Sequence, residues 1–249
     1  MNAKMKRVVL GVMMCGVASV ASAAEVKAAV AANFTATMKE LAAKFEAKTG
    51  DKVTLSFGSS GKLYTQIVNG APYDVFLSAD AARPEQLEQE GGAVKGSRFT
   101  YAMGRLALWS AQPELVDAEG TVLNSEKFER LAIANPKTAP YGAAAVEVLQ
   151  GLGLYEKIEP RIVQGDNIAQ TYQFVATGNA QLGFVALAQV KAKPSGSWWQ
   201  IPQDYYTPIR QDAVLLKSAA DNKAARALLD YLRSPEAKQI IEQSGYGVE

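Results

Sequence analysis

The 249-residue chain contains no histidine and a single cysteine, Cys15. Without histidine there is no Ser-His-Asp or Cys-His catalysis and no His-ligated zinc, iron or copper. An enzyme made from this chain would have to work with carboxylate, lysine or tyrosine chemistry. An excess of one charge is also missing. The 26 Lys+Arg stand against 25 Asp+Glu, a formal charge of +1, so nothing points to nucleic acid or an anionic membrane as partner. The glycine patterns of phosphate-binding loops, GxGxxG and GxxxxGK[ST], are absent as well.

The N-terminus reads as an export signal. Lys4, Lys6 and Arg7 form a basic segment, Val8 to Val20 an uncharged apolar one, and Ala21-Ser22-Ala23 a small-residue cleavage site. The apolar run is too short to span a bilayer. Cys15 lies inside this signal and follows Met13 and Met14 rather than the small residues that precede a lipid-modified cysteine. Cleavage after Ala23 is therefore expected to leave about 226 residues with no cysteine, no disulfide and no lipid anchor. The remaining 23 basic and 25 acidic residues give a formal charge of −2. A diffusible exported chain of this kind suits a periplasm.

Beyond the signal, short apolar runs alternate with amphipathic stretches. Strands are expected over Val26–Ala31, Val53–Phe57 and Val75–Ser78. Between them come a helix capped by Thr35 or Thr37 and ended by Gly50, and a second from Gly61 to Asn69; a third helix starts at Asp80. A β-α-β-α-β order implies a parallel sheet with helices on its faces. Further on, a strand is expected at Leu131–Ala134, helices at Pro140–Leu149 and Ile168–Thr177, and a strand at Leu182–Val185. Ser218–Arg233 reads as one amphipathic helix, and Ser234-Pro235 restarts another. Two long extended runs, near 100–110 and 206–216, are candidate crossings between two α/β lobes. The lobes would comprise 24–104 with 209–249, and an inserted 105–208. A single doubly wound domain accommodates the same pattern.

Four loop-to-helix junctions stand out: Ala31-Ala32-Asn33-Phe34, Phe57-Gly58-Ser59-Ser60-Gly61, Thr138-Ala139-Pro140-Tyr141-Gly142 and Gly165-Asp166-Asn167-Ile168. Asp166 is their one charged residue. In open α/β sheets, ligands bind where strand ends lead into helix N-termini. The unpaired N–H groups there favour an anion. Taken singly, each junction is better described as an ordinary cap or turn; the anion reading rests on the four together.

These junctions also carry a resemblance that covers nearly all of the chain beyond the signal. The sequence resembles the periplasmic molybdate-binding proteins of ABC transporters through Ala29-Val30-Ala31-Ala32-Asn33 and Ser56-Phe57-Gly58-Ser59-Ser60-Gly61. Gly70-Ala71-Pro72-Tyr73-Asp74-Val75-Phe76-Leu77-Ser78-Ala79-Asp80 is the most specific stretch. Pro140-Tyr141-Gly142, Leu182-Gly183-Phe184-Val185, Tyr231-Leu232-Arg233-Ser234-Pro235 and Ser244-Gly245-Tyr246-Gly247 also match. The resemblance implies an α/β, two-lobed type II binding protein with two crossover strands and a cleft. Its ligand would be molybdate or tungstate, bound through the oxygens with no direct metal ligand and no cofactor. Its partner would be a membrane permease with its ATPase, and the chain itself a monomer. Carried over by position, Asn33 and Ser60 would donate from side chain and backbone, and Tyr141 and Ile168 through backbone N–H. Where some members place a tyrosine after the Leu-Gly-hydrophobic-Val strand, this chain has Ala186. That donor would be absent or come from elsewhere, with Asn33 the candidate.

Rival readings keep the cleft and change its use. A binder could take sulfate, phosphate or thiosulfate, or ferric iron through Tyr205 and Tyr206; an exported hydrolase could pair Ser60 with Lys62. Trp198-Trp199 could stack on a sugar or a partner, or anchor a loop. The export signal is directly testable. Mass spectrometry of the periplasmic fraction is expected to find a mature chain beginning at Ala24, and an intact Met1 terminus there would refute it.

Overall fold

The computed structural model describes residues 23–192 and 194–248. The export signal therefore lies outside the described residues, apart from Ala23. In chain order the elements are β1 (Glu25–Ala31), α1 (Thr35–Thr49), β2 (Lys52–Gly58), α2 (Ser60–Val68), β3 (Val75–Leu77), α3 (Ala82–Gln89) and β4 (Phe99–Gly104). Then follow β5 (Leu106–Ser110), β6 (Leu131–Ala134), α4 (Pro140–Gly151), α5 (Tyr155–Ile158), β7 (Ile162–Gly165), α6 (Ile168–Ala176) and β8 (Leu182–Ala186). The chain closes with α7 (Leu187–Ala192), β9 (Ser197–Gln200), β10 (Ile209–Leu215), α8 (Lys223–Leu232) and α9 (Pro235–Gln243).

The strands form two five-stranded sheets, ordered β2-β1-β3-β10-β4 and β7-β6-β8-β5-β9. In the first, β1 runs parallel to β2 and β3, while β10 is antiparallel to β3 and β4. In the second, β6 is parallel to β7 and β8, and β5 is antiparallel to β8 and β9. Each sheet thus has a parallel core completed by antiparallel strands. The fold is two α/β lobes. The chain leaves the first sheet after Gly104 and enters the second at Leu106; it returns at Ile209, which pairs with Gly104. Both crossings therefore lie side by side.

Alternation along the strands supplies helices on both faces of each sheet. Val26, Ala28 and Val30 of β1 face one cluster with Phe34, Met38, Leu41, Leu228 and Ile241. Ala29, between them, faces Leu63, Phe76, Leu87 and Val214. In the second lobe Leu106 and Leu108 join Phe128, Tyr141, Leu149 and Phe184. Ala107 and Trp109 turn the other way, toward Val175, Val185 and Val190. Among the described residues no helix is long and apolar enough to cross a membrane.

Several expected boundaries move for identifiable reasons. The extended run near 100–110 is two strands broken at Arg105, because its halves pair in different sheets. α1 is not capped by Thr35 or Thr37. A 3-10 turn, Ala32–Phe34, precedes it, and Thr35 Oγ1 donates to the Ala32 carbonyl. α3 starts at Ala82 rather than Asp80, whose carboxylate accepts the Arg83 N–H. The helix expected from Ser218 begins at Lys223, where Asn222 accepts the Ala225 N–H; a separate 3-10 turn, Lys217–Ala219, comes first. β7 and β9 are not expected from the sequence, since Ile162-Val163-Gln164-Gly165 and Ser197-Trp198-Trp199-Gln200 each hold only two apolar residues, against the unbroken apolar run of β6.

Ser234 caps α9 as expected, accepting the Ala237 N–H at 3.2 Å. Ser234→Ala should lower unfolding free energy by about 1 kcal/mol in a denaturant titration. An unchanged midpoint would show that the cap contributes nothing.

Candidate functional site

The four junctions singled out from the sequence meet at one cavity between the lobes. Its lining includes Ala31, Ala32 and Asn33 after β1, Gly58, Ser59 and Ser60 after β2, Ala139, Pro140 and Tyr141 at the start of α4, and Asn167 and Ile168 at the start of α6. Ala79 completes it. The cavity is small: the centre of a water-sized sphere has about 10 Å³ to move in. No charged side chain lines it.

Its polarity comes from helix starts, whose first N–H groups have no partner in their own helix. At α4, Pro140 has no N–H, and the Gly142 and Ala143 N–H groups both turn back to the Ala139 carbonyl. The Tyr141 N–H remains as the early donor. At α6, Asn167 Oδ1 accepts from Ala169 and Gln170, at 2.9 and 3.1 Å. That cap leaves the Ile168 N–H to the cavity. At α2, Ser60 Oγ accepts the Ala79 N–H at 2.8 Å, which leaves the hydroxyl proton free to donate. Ser60 and Tyr141 are each 1% exposed.

Asn33 lines the cavity too, but its side chain faces inward. Nδ2 donates to Gln211 Oε1 at 2.8 Å and to the Tyr246 hydroxyl at 3.2 Å. Both amide protons are engaged there, so the side-chain donation expected of Asn33 is directed into the protein rather than into the cavity. Ser59 was not singled out within its junction. Its buried hydroxyl has no hydrogen-bond partner, although such a group costs about 1–3 kcal/mol when left unpaired. The doubled serine before a helix was the available signal. Ala186 is fully buried in β8 opposite Leu106.

The lobes are in contact around the cavity. Gly61 N–H donates across the cleft to the Thr138 carbonyl at 2.9 Å. A Cβ on Gly61 would stand 3.0 Å from Thr138 Cα, so glycine permits this approach. At the rim, Lys62 pairs with Asp166 at 2.9 Å, and Arg83, held by Asp80, reaches the Lys137 carbonyl. Lys62 is thus engaged with Asp166 rather than poised beside Ser60. The residues considered for iron lie elsewhere. Tyr206 accepts the Leu106 N–H, and Tyr205 packs edge-on against Trp199. Trp199 is buried in β9, whereas Trp198 is exposed. Among the described residues no cluster of His, Cys, Asp or Glu could hold a metal ion.

Behind the cavity, burial pushes the phenols of Tyr101 and Tyr141 well above their ordinary value, with Tyr246 adding to both shifts. Tyr246 itself is raised by burial, against its hydrogen bond with Asn33. A raised folded-state value means that this contribution to stability is complete below the ordinary phenol value of about 10 and is lost as pH rises further. Melting temperature is expected to hold to about pH 9 and fall above about 10, with part of the 295 nm phenolate signal delayed until unfolding. Full ionisation of all ten tyrosines in a folded chain would contradict the burial of this cluster.

Comparison with known proteins matches residues 26–247 to the family described as bacterial extracellular solute-binding protein. The chain is 56% identical to the molybdate-binding protein ModA of Azotobacter vinelandii, covering 100% of both chains. It is 57% identical to the molybdate-binding protein ModA of Rhodobacter capsulatus, over 95% of this chain and 94% of that one. Among solved structures, the periplasmic molybdate-binding protein of Azotobacter vinelandii superposes with a TM-score of 0.87 at 47% identity, covering 90% of this chain and 99% of the other.

Proposed function

The chain belongs to the bacterial extracellular solute-binding proteins, and we propose that it captures molybdate or tungstate in the periplasm and delivers it to a membrane ABC permease. One observation carries this reading: neutral donors from both lobes converge on a cavity lined by no charged side chain. A tetrahedral dianion offers oxygens in all directions and needs donors from all sides. Ser59 and Ser60, with the Asn33 backbone, serve it from the first lobe. The Tyr141 and Ile168 N–H groups serve it from the second. Each hydrogen bond to a charged group contributes about 1.5–3 kcal/mol. Five such bonds total about 7.5–15 kcal/mol, a range that spans the roughly 8 kcal/mol of a micromolar dissociation constant.

The names of the two relatives at 56% and 57% identity support molybdate as the cargo. Phosphate, which keeps a proton near neutral pH, needs an acceptor, and no carboxylate lines the cavity. Carriage rather than catalysis follows from the same chemistry. The lining holds donors but no general base, and Lys62 is tied to Asp166. The carrier acts as a monomer, and its closed form is what the permease and its ATPase receive.

A thermal-shift panel tests this. Micromolar molybdate and tungstate are expected to raise the melting temperature, following RT ln(1 + [L]/Kd), or about 2.7 kcal/mol at one hundred times Kd. Sulfate, phosphate and ferric citrate should leave it unchanged at that level. Ser60→Ala should weaken binding about 10- to 100-fold, a larger loss than its effect on the ligand-free protein. No stabilisation by molybdate or tungstate would overturn the proposal.

A further inference from the structure

Gln211 lies directly behind the cavity and is not part of its lining. It sits on β10, the strand that returns from the second lobe, and is fully buried. A register shift between Gln211 and Asp212 interrupts the pairing of β10 with β4 at this point, as bulges that re-aim a side chain do. The carboxamide is shared among three partners. Oε1 accepts from Asn33 Nδ2 at 2.8 Å and from the Tyr101 hydroxyl at 3.0 Å. Nε2 donates to the Tyr141 hydroxyl at 3.2 Å. Asn33 and Tyr101 belong to the first lobe and Tyr141 to the second. One side chain therefore ties a cavity residue of one lobe to a cavity residue of the other.

Gly104, at the first crossing, makes room for this. A Cβ there would stand 2.4 Å from the Tyr141 hydroxyl and 2.7 Å from Gln211 Nε2. The tie thus passes through the hinge itself. Tyr246 holds the far side of Asn33, donating to its carbonyl at 2.7 Å.

We propose that Gln211 is a specificity-determining positioning residue: by fixing Tyr141 against Asn33, it sets the spacing between the two lobes' donors and so the size of anion the closed cavity accepts. This rests on the oxyanion reading above. Sulfate offers the same shape and charge as molybdate with shorter bonds to oxygen, so donor spacing is what separates them. A buried carboxamide engaged at both its oxygen and its nitrogen holds that spacing more rigidly than apolar contact, because losing the Tyr141 bond would leave buried polar groups unpaired.

The test measures Kd for molybdate, tungstate and sulfate by calorimetry on the wild type, Gln211→Leu, Tyr141→Phe and the double variant. Tyr141→Phe is informative because it keeps the backbone donor and removes only the tie. Each single variant is expected to lose at least ten-fold in molybdate affinity and to narrow the molybdate-to-sulfate ratio at least ten-fold. The double variant should be little worse than the weaker single, since both remove the Gln211–Tyr141 bond. A uniform loss for all three anions, or an unchanged ratio, overturns the proposal and leaves Gln211 a merely structural residue. Should Gln211→Leu fail to fold, Tyr141→Phe and Gln211→Asn carry the same comparison. A wild type that binds neither molybdate nor tungstate instead overturns the oxyanion reading, before any variant is measured.

Discussion

The first N–H groups of an α-helix have no partner within the helix, and this molecule turns several of them toward one point. The remaining architecture serves that convergence. Parallel strands end on the same side of each sheet, so the helices that follow them start there. β1 and β2 deliver Asn33 and Ser60 from one lobe, while β6 and β7 deliver Tyr141 and Ile168 from the other. Two adjacent crossings let the lobes face each other. Neither lobe alone surrounds the cavity.

Charge is kept at the edge of this arrangement. Lys62, Asp166, Arg83 and Asp80 form pairs at the rim, while the lining is neutral. A lysine inside would hold any anion strongly and discriminate little by shape. Fixed dipoles act over a shorter range and in set directions, so they reward a ligand whose oxygens coincide with them. Small residues permit the required closeness: Gly61 against Thr138 between the lobes, and Gly104 against Tyr141 and Gln211 at the hinge.

Much of the secondary structure was legible because its signals are local. Gly50 ends α1 in the left-handed conformation that its position predicted, and Ser234-Pro235 opens α9. Short apolar runs marked β1 and β8. Errors arose where partners decide the outcome. Residues 101–109 look continuous, yet Arg105 divides two sheets. Asn222, rather than Ser218, begins α8, since both are adequate caps and tertiary placement chose between them.

The site divides in the same way. By itself, the amino-acid sequence determined the four junctions, their neutral composition and the absence of histidine, because cap residues and residue types are properties of short segments. That Asn33, Ser60, Tyr141 and Ile168 line a single cavity was decided by the tertiary structure, which also turned the Asn33 amide inward to Gln211 and left the Ser59 hydroxyl free. Gln211 carries no signal in its own neighbourhood. Its importance comes from three partners 70 to 178 residues away in the chain, and only folding brings residues so distant within hydrogen-bond reach.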